Sequence, residues 1–242
     1  MDPIGRPTPG TENSWRYQNG ELLPGIAGSG SSSTNILPFG ADSAWEKNGS
    51  TWSTMYGGSR MTVTNAIAFG IDVSEHNGNI NWAQSNQDDK YFFQNVRGCL
   101  DNDIPFGIYL YSYADSTSRA SSEADHVLRL LSEAGLSRAK VAYPIYYDLE
   151  EKSLEKTSNR ALLANMASTF CNKISNAGYA VGIYANKNWF DNYLTDPVFN
   201  KWTKWVAQYP YSGTLNAKCS YSGTHDMWQC MSSGKVNGIN TA

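Results

Sequence analysis

The chain has 242 residues, 40% of them hydrophobic and 17% charged, with a net charge of −3; that length suits one barrel-sized domain or a domain with a small appendage. The charge balance gives no electrostatic footing for nucleic acid or an anionic membrane, and no stretch approaches the ~20 apolar residues needed to span a bilayer. The aromatic share, 13% with 15 Tyr and 8 Trp, suits a surface that stacks on sugar rings and equally suits a core.

There is no P-loop, no GxGxxG after a strand and no HExxH, the motifs that would announce a nucleotide or zinc site. His76, His126 and His225 are far apart in sequence, so neither a metal nor a cofactor is expected. The start, MDPIGRPTPG, lacks the basic and apolar regions of a signal peptide. Cysteines fall at 99, 171, 219 and 230 with no CxxC. Cys219 and Cys230 flank a short segment and could close a loop worth about 2–3 kcal/mol; for Cys99 and Cys171 buried free thiols are as good a reading as any bridge.

In chain order, residues 1–65 form a leader rich in Gly, Ser, Thr, Asn and Pro, with GSGSSST from Gly28 reading as a flexible linker. SWRYQNGEL from Ser14 and AWEKNGSTWSTMYGG from Ala44 echo one another: an aromatic, an Asn-Gly turn and a second apolar or aromatic run predict short hairpins. They loosely resemble the aromatic hairpin repeats with which bacterial surface proteins hold wall polymers. An ordered leader packed on the main domain is the alternative.

From Ala66 onward strands and helices alternate. Strands are predicted at 67–73, 104–113, 141–149, 179–185, 204–209 and 225–230, and amphipathic helices at 117–134 and 159–176. Such alternation predicts an α/β fold with a parallel sheet, and at this length a TIM-like β/α barrel over residues 66–242. Each strand has one branched apolar face, fit to lie under helices. The other face is small at the strand start and polar or Tyr at its carboxyl end: Asp72 on the first strand, Tyr111 and Tyr113 on the second, Asp148 and Glu150 on the third, Tyr184 and Asn186 on the fourth. A barrel gathers those ends around one mouth. Parity turns Glu151 away from it.

Two carboxylates two positions apart on a strand lie about 6.6–7 Å apart on one face. In a desolvated mouth both cannot ionise cheaply, so one pKa must rise. Glycoside hydrolysis needs such a split, one protonated donor and one ionised partner, with Glu150 the natural acid and Asp148 beneath it. An ordinary acidic loop, continued by Glu151 and Glu155, is the plainer reading, and the inward Asp72 weighs against it.

FGIDVSEHNGNINW (Phe69 to Trp82), IPFGIYLYSYA, YPIYYDLE, GYAVGIYANKNWF and DMWQCMSSGKVNGI together resemble glycoside hydrolase family 25, the lysozymes that cut bacterial peptidoglycan. The resemblance implies that Glu150 is the proton donor and that Asp148 holds or polarises the N-acetyl group. It implies that Asp72 is a stabilising or nucleophilic carboxylate, with the substrate's own acetamido oxygen as the other possible nucleophile. The bond cut would be the β-1,4 link from N-acetylmuramic acid to N-acetylglucosamine, with retention. Tyr111, Tyr184, Trp205 and Trp228 become candidate sugar contacts, with Tyr113 and Asn186 beside them; each suits a barrel layer as well. The partner would be peptidoglycan and the chain a monomer, acting outside the cell or at the wall.

The chain departs from that family in two places. Only AQSNQDDK separates Trp82 from Tyr91, where relatives have a helix and an apolar second strand; after GINTA they continue into a short final strand. Six strands are predicted where a closed barrel has eight, so the barrel is expected to be incomplete, open beside the first strand, with part of residues 1–65 able to fill the gap. Three functions fit: a muramidase, a wall-glycan binding protein on a degenerate hydrolase barrel, or another acetamido-sugar hydrolase such as a chitinase-like barrel. The last is weakened because only the final two acids of the DxxDxDxE pattern are present.

Overall fold

The computed structural model describes residues 17–18, 21–22, 45–56, 59–66, 70, 72, 89, 91–155, 159–211 and 213–232. The chain divides into two compact units, one made from Met1–Ser29, Arg97–Ala207 and Tyr221–Trp228, the other from Gly30–Val96, Gln208–Ser220 and Gln229–Ala242.

Short antiparallel ladders come first in chain order. β1 (Tyr17–Gln18) pairs with β2 (Glu21–Leu22); the Asn-Gly pair between them lies outside the described residues. β3 (Trp45–Asn48), β4 (Thr51–Tyr56) and β5 (Ser59–Thr64) form a three-stranded sheet in the second unit. Asn48 faces Thr51 across the Gly49-Ser50 turn, and Gly49 takes φ +59°, the left-handed conformation that a tight hairpin demands. Trp52 and Met61 are buried on this sheet, and the Trp52 indole N–H donates to the Ala66 carbonyl at 3.2 Å. The outer edge of β5 is paired: the Thr62 amide donates to the Thr214 carbonyl at 3.2 Å, and the Ala217 amide to the Thr62 carbonyl at 2.7 Å. A covered edge cannot recruit another chain.

The remaining elements alternate as expected: α1 (Phe92–Asp101), β6 (Ile108–Tyr111), α2 (Thr117–Glu133), β7 (Ile145–Asp148), α3 (Lys152–Glu155), α4 (Arg160–Asn176), β8 (Val181–Asn186), α5 (Lys187–Asn192), β9 (Thr203–Ala207) and β10 (Met227–Gln229). The last five strands make one sheet in the order β10-β9-β8-β7-β6, and β6 to β9 run parallel. The α/β class therefore holds. Five of the six predicted strands form, each shorter than its apolar run, and among the described residues the sheet is open, with β6 and β10 at its edges. The expected first strand, 67–73, lies outside the described residues apart from Gly70 and Asp72.

Registers show why the two faces differ. Ile108, Ile145 and Val181 form one cross-strand row, and Leu110, Tyr147, Ile183 and Lys204 the next. This face meets α4, which packs on β7 and β8 and also against α2. Tyr147 lies flat on Phe170 of α4, ring centroids 4.0 Å apart and planes 8° from parallel, and both are fully buried. Across the helix pair, the Lys173 ammonium bonds Asp125 at 2.6 Å and the Ser121 hydroxyl at 2.9 Å.

Helix ends carry their own signals. Ser116 caps α2 by accepting the Arg119 amide, and Asn159 caps α4 by accepting the Leu162 amide at 3.0 Å. Both helices stop at a left-handed glycine, Gly135 at φ +62° and Gly178 at φ +91°. The following amides, Leu136 and Tyr179, turn back to the Leu131 and Ile174 carbonyls, which closes the exposed end of each helix. Gly182 serves space: a Cβ there would sit 2.5 Å from the Tyr146 ring and 2.6 Å from Thr203.

Replacing Phe170 with Ala removes the ring that Tyr147 stacks on and leaves a cavity under β7. Such truncations cost about 3–5 kcal/mol, so the denaturant midpoint of Phe170→Ala should fall steeply with an unchanged m-value.

Candidate functional site

The site is built at the carboxyl ends of β6 to β9, where one in-register row runs Tyr111, Asp148, Tyr184, Trp205 across four strands. The row beneath is Tyr109, Tyr146, Gly182 and Thr203. Equivalent positions in parallel strands share a face, so the period-two reading places four candidates as expected relative to one another, Tyr111, Asp148 and Tyr184 in the row and Asn186 two residues further along β8; Trp205 completes the row on β9.

Below the carboxylates the face is aromatic. Tyr146, Tyr184 and Ala207 make a buried cluster joined by Tyr109, Trp205 and Met227. Trp205 is its centre, with Tyr184, Tyr146 and Tyr109 edge-on to it at 4.6, 5.3 and 6.2 Å. Edge-to-face contacts hold such rings rigidly. Gly182 leaves the room that the Tyr146 ring fills, and the Tyr146 hydroxyl reaches the Met227 sulfur at 3.1 Å.

Asp148 ends β7 and is 4% exposed. Its carbonyl accepts the Ser112 amide at 2.9 Å, which fixes the strand end to the chain leaving β6. Glu150 follows, half-buried. Burial raises its pKa above the usual carboxylate range, against the opposing pull of the Asn186 side-chain amide, which donates to Glu150 Oε2 at 3.4 Å. The other end of the Asn186 side chain accepts the Trp189 amide at 3.1 Å as the cap of α5. One residue therefore joins the start of a helix to the carboxyl of Glu150.

Glu151 is the residue that parity misplaced. β7 ends at Asp148, so alternation no longer governs three residues later. The Glu151 carboxylate accepts the Tyr111 hydroxyl at 3.2 Å and the Ser153 amide at 3.1 Å, the latter at the start of α3. An acidic residue just ahead of a helix start was the available signal. Burial first and the Glu151 charge second push the Tyr111 phenol well above its ordinary pKa, so this hydroxyl stays a donor. Tyr113 lies past the strand end, 63% exposed, its ring tilted on Tyr111 at 4.9 Å.

Two further candidates are Trp228 and Asp72. Met227 of β10 joins the aromatic cluster, so strand alternation turns the neighbouring Trp228 to the opposite side. Asp72 belongs to the other unit, where it is exposed and both its oxygens accept from the Gln229 side-chain amide, at 3.1 and 3.2 Å. Cys219 and Cys230 are not joined in a disulfide, so the expected loop closure is not made. Among the described residues no group of three His, Cys, Asp or Glu side chains is placed to hold a metal ion, and no helix is long and apolar enough to cross a membrane.

Comparison with known proteins agrees with this architecture. The fold is similar to that of the modular autolysin LytC from Streptococcus pneumoniae, solved in complex with a synthetic peptidoglycan ligand: TM-score 0.58, 23% identity, over 81% of this chain and 56% of that one. The chain thus spans little more than half the length of that relative. It is also similar to the bacterial lysozyme of Streptomyces coelicolor, with TM-score 0.54 and 22% identity over 71% of this chain and 87% of that one. A third likeness is to the catalytic domain of endolysin ply40 from bacteriophage P40 of Listeria monocytogenes, with TM-score 0.51 and 23% identity over 63% and 71%. No curated protein matches the sequence. The model of the family described as glycosyl hydrolases family 25 matches residues 85–239, a span that takes in the DLE strand and begins after the GIDVS motif. With well over half of its residues inside that match, the chain belongs to glycosyl hydrolases family 25.

Proposed function

We propose that the chain hydrolyses bacterial peptidoglycan at the β-1,4 bond between N-acetylmuramic acid and N-acetylglucosamine, with Glu150 as general acid. The observation that carries this reading is the pairing at the end of β7: a buried Asp148, and a half-buried Glu150 whose pKa burial raises. A protonated Glu150 gives its proton to the leaving glycosidic oxygen as the bond to the anomeric carbon breaks. A carboxylate or the substrate's own acetamido oxygen then carries the positive character at that carbon until water replaces the leaving group. Asp148 is the partner that orients the acetamido group. Trp205 and Tyr184, held edge-on at 4.6 Å, and the Tyr111–Tyr113 pair offer ring faces for sugars, with Asn186 positioning the acid and Trp228 a further contact.

Asp72 is proposed as the stabilising or nucleophilic carboxylate on the GIDVS motif alone. Peptidoglycan as substrate draws support from the autolysin, lysozyme and endolysin to which the fold is similar. The same reading makes residues 1–65 a wall-associating leader, residues 66–242 the hydrolase barrel, and the protein a monomer acting outside the cell or at the wall.

Incubation of purified peptidoglycan with the protein should release new reducing ends of muramic acid. Glu150→Gln should lower that rate by about 10²–10⁴-fold while still pelleting with the wall. Equal pelleting by both proteins with no ends from either would mean a wall-binding protein instead, and release of chitin oligomers would mean the third reading. Asp72→Asn should reduce the rate if the GIDVS carboxylate acts in the reaction; parent-like turnover would remove it from the site.

The acid works only while protonated, so activity should fall as pH rises through the raised Glu150 pKa. Asn186→Asp keeps the acceptor that caps α5 and replaces the amide donor with a negative charge. That change disfavours ionised Glu150 further, and the alkaline limb of the pH–rate profile should move to higher pH. A limb that stays in place would detach it from Glu150.

A further inference from the structure

Behind the row of site residues lies a hydrogen-bonded group that the hydrolytic reading does not use. Glu123, two turns into α2, points its carboxylate at the junction of β6 and β7. Its Oε1 accepts the Tyr113 amide at 2.9 Å. Its Oε2 accepts the Tyr147 hydroxyl at 2.7 Å and the Ser112 hydroxyl at 2.9 Å. Ser112 and Tyr147 also touch each other at 2.8 Å, and the Ala114 amide donates to the Ser112 hydroxyl oxygen at 3.2 Å. Ser112 is fully buried. A carboxylate only accepts: the Tyr113 amide and the Tyr147 hydroxyl donate to Glu123, and the single Ser112 hydroxyl proton is shared between Glu123 and the Tyr147 oxygen.

The residues so tied flank the site on both strands. Tyr147 immediately precedes Asp148, and the Ser112 amide holds the Asp148 carbonyl. Ser112 lies between Tyr111 and Tyr113, whose rings meet at 4.9 Å. The chain turns from strand to loop at Ser112, where ladder bonds no longer dictate its path. Charge-assisted hydrogen bonds are about twice as strong as neutral ones, and Glu123 accepts two of them outright and shares a third from Ser112.

We propose that Glu123 is a positioning residue for the hydrolytic site, holding the ends of β6 and β7 so that the Tyr111–Tyr113 pair and the Asp148–Glu150 pair face the same sugar. It touches no reacting atom and acts through Tyr113, Ser112 and Tyr147. The reaction part of this inference rests on the proposed muramidase activity; the anchoring part does not.

The test compares Glu123→Ala and Glu123→Gln with Leu131→Ala, a truncation of a fully buried residue on the same helix, at a temperature where all are folded by circular dichroism. Turnover of soluble peptidoglycan fragments and amide hydrogen exchange at Tyr113 and Ala114 are both measured. Misplacement of a site by about 1 Å can cost about 100-fold, so Glu123→Ala should lose about that much kcat with KM changed by less than about threefold. Glu123→Gln, which keeps an acceptor for the Tyr113 amide, should recover part of it, and Leu131→Ala should keep the parent's kcat. Exchange at Tyr113 and Ala114 should quicken in Glu123→Ala alone. Parent-like kcat in Glu123→Ala, or a loss equal to that of Leu131→Ala, overturns the positioning role. Should the parent itself release no reducing ends, the muramidase reading fails, and unchanged exchange at Tyr113 would then overturn the anchoring as well. If Glu123→Ala does not fold, Glu123→Gln carries both comparisons.

Discussion

The flat contact between Tyr147 and Phe170 decides which way β7 faces. With the Tyr147 ring held against α4 at 4.0 Å, the next residue must turn to the other side of the strand. That residue is Asp148. A one-residue slip would reverse every side chain of the strand and send the carboxylate under the helices. Core packing and site construction are therefore one event. Tyr147 belongs to both, since its ring is buried against α4 while its hydroxyl reaches Glu123.

Electrostatics at the strand ends follows from that geometry. Both faces of β7 are covered, so Asp148 lies almost out of water, and Glu150 two residues on is half-covered. Loss of hydration favours the neutral form of a carboxyl, and the single amide from Asn186 opposes without overcoming it. Glu151, also half-buried, takes a different part, fastening the Tyr111 hydroxyl and the start of α3. The three carboxylates Asp148, Glu150 and Glu151 thus differ through surroundings more than through chemistry. The aromatic layer beneath them, centred on Trp205, gives this end of the sheet a stiff floor.

Much of this was legible in the sequence. The period-two pattern identified β6 to β8 and sorted their faces, because a strand covered by helices on one side must carry branched residues there. The 3.6-residue periodicity located α2 and α4 to within a residue or so. Alternation failed where a strand ended: Glu151 was assigned away from the mouth, although β7 stops at Asp148. Glu123 was invisible, because a glutamate on an exposed-looking helix stretch, RASSEADHV, carries no mark of the backbone amide that it accepts.

The sequence by itself determined the alternating α/β class, the faces of the strands, the ends of the helices and the DLE pair, since each depends on spacing along a continuous stretch of chain. Tertiary structure alone decided that β5 is edged by residues 214–217, that Glu151 holds Tyr111, and that Glu123 ties Ser112, Tyr113 and Tyr147 together. Those contacts join residues ten to more than a hundred positions apart. Their partners are selected by how folded segments meet in space, which no local period records.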